Sequence, residues 1–129
     1  MSEHPNAALV RRLHDAFTSG DLAALPAHFA EDAVWELPGR GTIAGEYKGP
    51  EAIVGFLRRS FELSGGTLRV KLLALMGDDW GAVHVQEVTA EHGGRRLACV
   101  EVLAHQIVDG RIVHTYHRPD QYAVDAFFG

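Results

Sequence analysis

Two polar side chains near the end of the chain are of types that can move a proton. His117 lies in the alternating segment RIVHTYHR, and an imidazole titrates near neutral pH, so it can serve as general acid or base. Asp120 follows this segment by two residues and could assist it. Each has a structural alternative, because a backbone group could hold His117 and Asp120 could cap the turn RPDQY. Both are candidate catalytic residues.

A further carboxylate, Glu36, lies in the segment FAEDAVWELPG. Trp35, Glu36 and Leu37 belong to a short predicted strand that ends at a Pro-Gly pair. Successive side chains of a strand face opposite sides, so Glu36 lies opposite both Trp35 and Leu37. Glu36 is therefore a candidate base if it faces the interior, and a rim or interface carboxylate if it faces away.

Two more carboxylates, Glu87 and Glu101, lie inside predicted strands. The hairpin register favours an inward position for Glu87 and an outward one for Glu101. Either could act as a base if burial raised its pKa. The structural alternative is that each pairs with an arginine across the sheet.

Eight histidines invite a metal hypothesis, but their spacing does not support one. His114 and His117 are three residues apart on a strand and therefore face opposite sides. His84, His92 and His105 fall in different strands or turns. The sequence also has no glycine-rich phosphate loop, nucleophile elbow or metalloprotease motif. We therefore predict neither a metal nor a cofactor.

Three helical segments are predicted before the main run of strands. The first, PNAALVRRLHDAFTSG, carries apolar residues at helical spacing and stops at a glycine. Asp21 can cap a second helix, DLAALPAHFA, in which Pro26 is awkward because proline lacks the backbone N–H. The third, GPEAIVGFLRRSFEL, has a proline suited to its first turn.

From residue 67 onward the pattern is that of strands. The segments TLRVKLLAL, WGAVHVQEVTAEH, RRLACVEVLAHQIV and RIVHTYHR are joined by links of hairpin length. An earlier strand, AVWEL, is followed by a predicted loop over residues 38–48. Helices followed by an antiparallel meander indicate the α+β class. We predict a single domain over residues 1–129, with the apolar tail docked through Tyr122, Phe127 and Phe128.

The composition argues against several classes of protein. The net charge of −5 and the scattered arginine pairs do not favour a nucleic-acid surface. Cys99 is the only cysteine, which excludes an internal disulfide, and its apolar surroundings predict a small buried hydrophobe. No signal-peptide core or run of membrane-spanning length is present. We therefore expect a cytoplasmic protein without nucleic-acid or membrane partners.

Several segments, taken in order, resemble the SnoaL-like family of the NTF2-like superfamily. They are SGDLAALPAHFAEDAVWELPG, AGEYKGPEAIVGFL and VDGRIVHTYHRPDQYAVDAFF. The resemblance implies a cone in which three N-terminal helices pack on a curved, mostly antiparallel sheet. It also implies a conical pocket and a homodimer formed through the sheet. The sheet face that carries Val88, Val100, Val102 and Leu103 is the expected contact.

The ketosteroid isomerases of this superfamily use an aspartate base with a tyrosine and a protonated aspartate. Placed on their pattern, this chain has Leu13, Leu37 and Ala104 at the three positions. The resemblance therefore implies the fold but not isomerisation of a 5-ene-3-ketosteroid. It also implies that Leu37 faces the pocket, which puts Trp35 inside and Glu36 away from it.

An apolar set is predicted to line the pocket, although some of its members could simply fill a core: Leu13, Phe17, Trp35, Leu37, Tyr47 and Phe56. The leading hypothesis is a cofactor-independent isomerase, cyclase or hydrolase acting on a small apolar or polycyclic substrate. In it His117 moves the proton with help from Asp120 or Glu36. The alternatives are a non-catalytic ligand-binding homodimer and a dimerisation module with a vestigial pocket.

Overall fold

The computed structural model describes residues 3–129 and places six strands in one curved sheet. In chain order the strands are β1 (Phe29–Leu37), β2 (Gly45–Lys48), β3 (Arg69–Gly77), β4 (Gly81–His92), β5 (Arg95–Val108) and β6 (Arg111–Arg118). Their order in the sheet is β2-β1-β6-β5-β4-β3. The pair of β1 and β6 is parallel, and every other pair is antiparallel. The predicted α+β class and mostly antiparallel sheet are confirmed.

The α-helices are α1 (Pro5–Thr18), α2 (Pro50–Leu63) and α3 (Gln121–Phe128). Both α1 and α2 begin with a proline, whose missing N–H is not needed in the first turn. The residue before α2 is Gly49 at φ 86°, a conformation that other residues seldom adopt. Each of these two helices packs one apolar stripe on the sheet, through Leu9 and Leu13 in α1 and through Ile53 and Phe56 in α2.

The prediction of a second N-terminal helix is wrong. Residues 22–28 form two short 3₁₀ turns, Leu22–Ala24 and Pro26–His28, and β1 already begins at Phe29. Pro26 has no N–H and would clash with the preceding turn of an α-helix, so it opens a new turn instead. Two α-helices, and not three, therefore precede the strands β3 to β6, and the third helix follows them. The predicted loop over residues 38–48 also contains the short strand β2.

The apolar tail docks through α3, as predicted, but not through every aromatic named for it. Phe127 and Val124 are buried, whereas Tyr122 is exposed. Cys99 is half-buried and packs against the core. Within residues 3–129, no helix is both long enough and apolar enough to cross a membrane.

Register between β4 and β5 decides which polar side chains face the helices. The two strands pair from His92 with Arg95 at the turn to Gly81 with Gln106 at the far end. On β5 this places Leu97, Glu101, Leu103 and His105 on the face toward the helices, together with the half-buried Cys99. The opposite face of β5 carries valines that stay exposed.

Candidate active site

A cavity lies between the helices and the sheet, with about 810 Å³ of space not filled by protein atoms, counting the part open to solvent. Most of its wall is apolar, and five of the six residues predicted to line a pocket line it: Leu13, Phe17, Trp35, Leu37 and Phe56. On β1, Trp35 and Leu37 thus face inward together.

The sixth predicted lining residue, Tyr47, does not line the cavity. Its ring stacks on Phe56 with the ring centroids 4.5 Å apart, and its hydroxyl donates to the carbonyl oxygen of Ile43. Tyr47 therefore supports Phe56 from behind. The prediction of direct lining failed because β2, which carries Tyr47 at the sheet edge, was not foreseen.

Two of the candidate catalytic carboxylates lie outside the cavity. Glu36 accepts hydrogen bonds from Arg118 Nη2 at 2.6 Å and His114 Nε2 at 3.0 Å on the other face of the sheet. These bonds, that from Arg118 first, hold the pKa of Glu36 below its ordinary value. Asp120 caps α3, since its Oδ1 accepts from the N–H of Ala123 at 3.1 Å. Neither carboxylate is placed to meet a ligand in the cavity.

His117 lines the cavity, and the carboxylate beside it is Glu101. Glu101 is only 5% exposed, so the prediction that it faces outward is wrong. Its Oε1 accepts a hydrogen bond from Gln86 Nε2 at 2.9 Å and lies 3.0 Å from His117 Nε2. The approach of His117 is too far out of line for a hydrogen bond, and its Nε2 has no hydrogen-bond partner among the described residues. Glu87, predicted to face inward, is exposed.

The direction of the hydrogen bond at His117 follows from its donor. Trp35 Nε1 lies 3.2 Å from His117 Nδ1, and an indole N–H can only donate. His117 Nδ1 is therefore the acceptor, and the proton of the neutral ring is on Nε2, on the side of Glu101. One line of donors thus runs from Trp35 through His117 toward the carboxylate.

A second line of hydrogen bonds reaches the same carboxylate from the other side. Gln86 gives its N–H to Glu101, so its Oε1 accepts from His84 Nε2 at 3.0 Å. His84 Nδ1 must then accept from His105 Nε2 at 3.0 Å, and His105 Nδ1 accepts from the Thr115 hydroxyl at 2.8 Å. Every donor in this line points toward Glu101. The carboxylate is the common end of both lines.

The pKa shifts agree with a neutral His84 and a neutral His105 near an ionised Glu101. Burial lowers the pKa of His84 to about 4 and that of the fully buried His105 well below its ordinary value. Burial alone would raise the pKa of Glu101, but the attraction of His117 and the hydrogen bond from Gln86 outweigh it, and the pKa is lowered. The cavity therefore carries a negative charge at Glu101 at neutral pH.

His14, on α1, is another polar side chain in the wall. Its ring meets that of His84 edge to face, with the centroids 5.9 Å apart, and its Nε2 is buried without a hydrogen-bond partner among the described residues. Burial lowers its pKa. A buried nitrogen without a hydrogen-bond partner lowers the stability of the fold, so His14 costs stability at its position in the cavity wall.

Sequence reasoning considered Glu101 as a possible base but placed it on the outer face, and it did not assign five further polar residues to the cavity wall: His14, Ser60, His84, Gln86 and His105. It also assigned His84 and His105 to positions apart from each other, whereas the two rings are hydrogen-bonded. Within residues 3–129, no group of three or more potential ligands is arranged to hold a metal ion. Leu103 and His105 line the cavity, whereas Ala104, near which one isomerase position was expected, does not. The two-residue turn at Gly93-Gly94 could have revealed the contact between Gln86 and Glu101. Counting residues back from that turn along both strands pairs Gln86 with Glu101.

Comparisons with known proteins place this arrangement in context. A family model described as a SnoaL-like domain matches residues 10–115. An uncharacterized protein of Mycobacterium tuberculosis is 31% identical over 113 residues, which cover 87% of this chain and 86% of that protein. The structure of Bal32a, from a soil-derived mobile gene cassette, is similar with 38% identity, a TM-score of 0.92 and 97% of each chain covered. An NTF2-like protein from Burkholderia xenovorans LB400 has 21% identity, a TM-score of 0.82 and coverage of 100% of this chain and 99% of its own, which shows the fold alone.

Proposed function

This chain belongs to the SnoaL-like domain family and has the NTF2-like fold, and from that premise we propose that it is a cofactor-independent acid–base enzyme for a small apolar substrate. The observation that carries the proposal is the Glu101 carboxylate, buried in a largely apolar cavity. Its Oε1 accepts the hydrogen bond of Gln86 and lies 3.0 Å from His117 Nε2, whereas Oε2 accepts no hydrogen bond from the described residues and is not among their fully buried unpaired atoms. A carboxylate oxygen in this setting is suited to accept a proton from a bound molecule.

In the proposed reaction, Glu101 Oε2 takes a proton from a carbon next to a carbonyl group. The electrons of the broken C–H bond move to the carbonyl oxygen and give an enolate. Return of the proton from Glu101 to another carbon completes an isomerisation. Alternatively, the enolate carbon attacks a second carbonyl of the same molecule and closes a ring, the electrons of that C=O π bond move to its oxygen, and the resulting alkoxide takes the proton back from Glu101. Both outcomes use only the substrate and Glu101.

His117 has a supporting part in this proposal. Its Nδ1 already accepts from Trp35, so the neutral ring has no free lone pair with which to take a proton from a substrate. Its N–H side lies against Glu101 Oε1 and favours the ionised carboxylate. The base is then ready at neutral pH without first losing a proton. Asp120 and Glu36 have no part, because both lie outside the cavity.

The apolar wall contributes by keeping water away from the carboxylate. Trp35 and Phe56 have ring centroids 5.8 Å apart and close one side, and Leu13 and Leu37 add aliphatic surface. A substrate that fills this space replaces water around Glu101, which strengthens the electrostatic interactions of the site.

The test is hydrogen exchange at carbon. The protein is incubated in D₂O with a panel of apolar ketones and 1,3-diketones, and loss of the proton next to the carbonyl is followed by NMR. We expect at least one member to exchange faster with the protein than without it. Glu101→Gln should lower that acceleration by about 10²–10⁴-fold, whereas the matched control Glu87→Gln, at an exposed position, should retain it. Acceleration equal in the wild type and in Glu101→Gln would refute the proposal.

Non-catalytic binding is the second candidate, and one observation favours it. Leu13 and Leu37 face the cavity at two positions where the isomerases of the superfamily carry catalytic groups, so this wall can hold a ligand but cannot react with it. Saturable binding of apolar molecules with no exchange in any of them would select this candidate.

A homodimer is part of the same proposal. Val100, Val102 and Val108 lie on the outer face of β5 with 52%, 42% and 51% of their surface exposed. Val88 and Leu103, which were predicted to share this face, are instead buried toward the helices. A second copy placed on the outer face of β5 would remove these valines from water.

A further inference from the structure

The charges of the cavity wall restrict what can bind there. Of the residues that line the cavity, none is a lysine or an arginine, and Glu101 is the one carboxylate among those that the structure describes. The titratable neighbours on the surrounding elements are His14, His84, His105 and His117. The first of these is on α1 and the other three are on the sheet, and the hydrogen-bond directions leave His84, His105 and His117 neutral.

A carboxylate in an apolar space without a lysine or an arginine beside it disfavours a second negative charge. Like charges in a poorly hydrated site repel each other far more strongly than in water. A ligand that carries a carboxylate would have to leave water and approach Glu101 without a cation to balance it. Anionic molecules are therefore poor ligands for this cavity at neutral pH.

The number of available acceptors restricts the ligand further. In the network, Gln86 Oε1, His84 Nδ1, His105 Nδ1 and His117 Nδ1 each already have a donor. Glu101 Oε2 is the one oxygen of the described network that has none. An ammonium group has three donors to satisfy and loses its water on entry, and the hydrogen-bond network offers it only the one free oxygen of Glu101. A single hydroxyl has one donor and matches it.

We infer that the cavity selects an uncharged, largely apolar molecule with one acidic hydroxyl, a phenol or an enol, whose O–H donates to Glu101 Oε2. The inference rests on the proposed function in that it uses the same carboxylate. It adds the class of molecule, since an enol is the tautomer of the ketone from which Glu101 would take a proton. The hydrogen bond is charge-assisted, and bonds of that kind are the stronger ones in proteins.

Binding of four probes of similar shape tests this directly. They are 2-naphthol, 2-methoxynaphthalene, 2-naphthoate and 2-naphthylmethylammonium at neutral pH. Titrations are followed by ¹H–¹⁵N NMR through the indole N–H of Trp35, which lies in the cavity wall. The indole N–H of Trp80, whose side chain is exposed, serves as the internal control in the same spectra.

We expect 2-naphthol to bind about 10- to 100-fold more tightly than 2-methoxynaphthalene, the range for a hydrogen bond to a charged group. Both charged probes should bind more weakly than 2-naphthol. In Glu101→Gln the preference for the naphthol should shrink and 2-naphthoate should gain affinity, whereas Glu87→Gln should behave as the wild type. Equal affinities for the naphthol and its methyl ether in the wild type, a comparison that needs no variant, would overturn the inference, as would tighter binding of either charged probe.

This experiment separates the inference from the proposed function. Exchange at carbon that depends on Glu101, together with no preference for the hydroxyl, would leave the acid–base enzyme intact and refute the ligand class. A clear preference for 2-naphthol with no exchange in any ketone would support the ligand class and refute the enzyme.

Discussion

His84 Nδ1 and His105 Nε2 lie 3.0 Å apart on neighbouring strands, and the two rings are tilted by only 8°. Such a contact needs a proton on one nitrogen and none on the other. Here His105 donates, because His84 already uses its own N–H toward Gln86. Two neutral imidazoles satisfy the contact, whereas protonation of both rings would set two N–H groups against each other.

The first prediction concerns stability in acid. The folded-state pKa of His84, about 4, lies below the ordinary 6.5, so between these values the unfolded chain binds more protons than the folded one. This contribution to the free energy of unfolding is complete above pH 6.5 and is lost as the pH falls toward 4, by on the order of 3 kcal/mol. The lowered pKa values of His105 and Glu101 act in the same direction. Urea unfolding between pH 4 and 7.5 measures the effect.

A matched pair of variants assigns this pH dependence to the buried network. His84→Gln should flatten the profile between pH 4 and 6.5, and His92→Gln, at an exposed position near the turn of the same strand, should leave it steep. A wild-type profile without slope in this range would contradict the prediction.

The second prediction compares Glu101 with His117. If Glu101 is the base and His117 stabilises its charge, Glu101→Gln removes the full acid–base contribution of about 10²–10⁴-fold and His117→Gln only part of it. Rates of exchange at carbon for the best substrate of the ketone panel measure both variants. A larger loss in His117→Gln than in Glu101→Gln would instead make His117 the proton carrier. Thermal melting of each variant separates a loss of activity from a loss of the fold.

Sequence reasoning predicted the four long strands, their approximate ends and the inward position of Trp35 and Leu37. It failed on β5 because that strand is apolar on both faces, with Val100 and Val102 exposed and Leu97 and Leu103 buried. An alternation of apolar with polar residues was therefore not available to tell the two faces apart. On β4 the residues Glu87, Thr89 and Glu91 are exposed, so their face of that strand is the outer one. The two-residue turn fixes how β4 pairs with β5, and together these two facts would have shown which face of β5 is buried.

The contacts between the two lines of donors and Glu101 were harder to predict than the strands. His84 is paired with Leu103 and His105 with Ala82, so the two histidines meet only as diagonal neighbours. His117 comes beside Glu101 through the pairing of β5 with β6, which is interrupted by a register shift near Gln106. A shift of one residue changes the face of every side chain beyond it, and the sequence pattern does not mark where the shift occurs.

A third prediction concerns Glu36, which forms its ion pair with Arg118 away from the cavity. Glu36→Gln should leave exchange at carbon and binding of the naphthol unchanged. The free energy of unfolding should change by no more than about 1 kcal/mol, since ion pairs near the surface contribute little. Denaturant unfolding and the exchange assay check both statements. A loss of activity comparable with that of Glu101→Gln would return Glu36 to the list of candidate bases.

The fourth prediction is that His14→Leu stabilises the fold. His14 Nε2 is buried without a partner in the described structure, and such a group costs about 1–3 kcal/mol. Leucine removes the polar atom and keeps apolar contact with the cavity wall. We expect a higher melting temperature, by a few degrees for roughly 1 kcal/mol in a chain of this size. His14→Gln, which keeps a polar group there, is the control and should show no gain. A lower melting temperature for His14→Leu would mean that the nitrogen has a stabilising partner in solution.

The last prediction concerns the outer face of β5. The mass of the chain is 14.1 kDa, and a homodimer would have twice that mass, 28.2 kDa. Val102, 42% exposed, lies between Val100 and Ala104 on this face, and its neighbours across the sheet are Val85 on β4 and Arg118 on β6. Val102→Asp would place a charge at the proposed contact, where burial without a partner is strongly unfavourable, and should give a monomer. Its side chain points away from the cavity, so binding of 2-naphthol should persist if the monomer stays folded.

Light scattering at micromolar concentration measures the mass of the wild type and of Val102→Asp. The control is Thr89→Asp, which lies on the outer face of β4 but nearer the turn. A monomeric mass for the wild type would refute the dimer, and an unchanged dimer in Val102→Asp would place the contact elsewhere on the molecule.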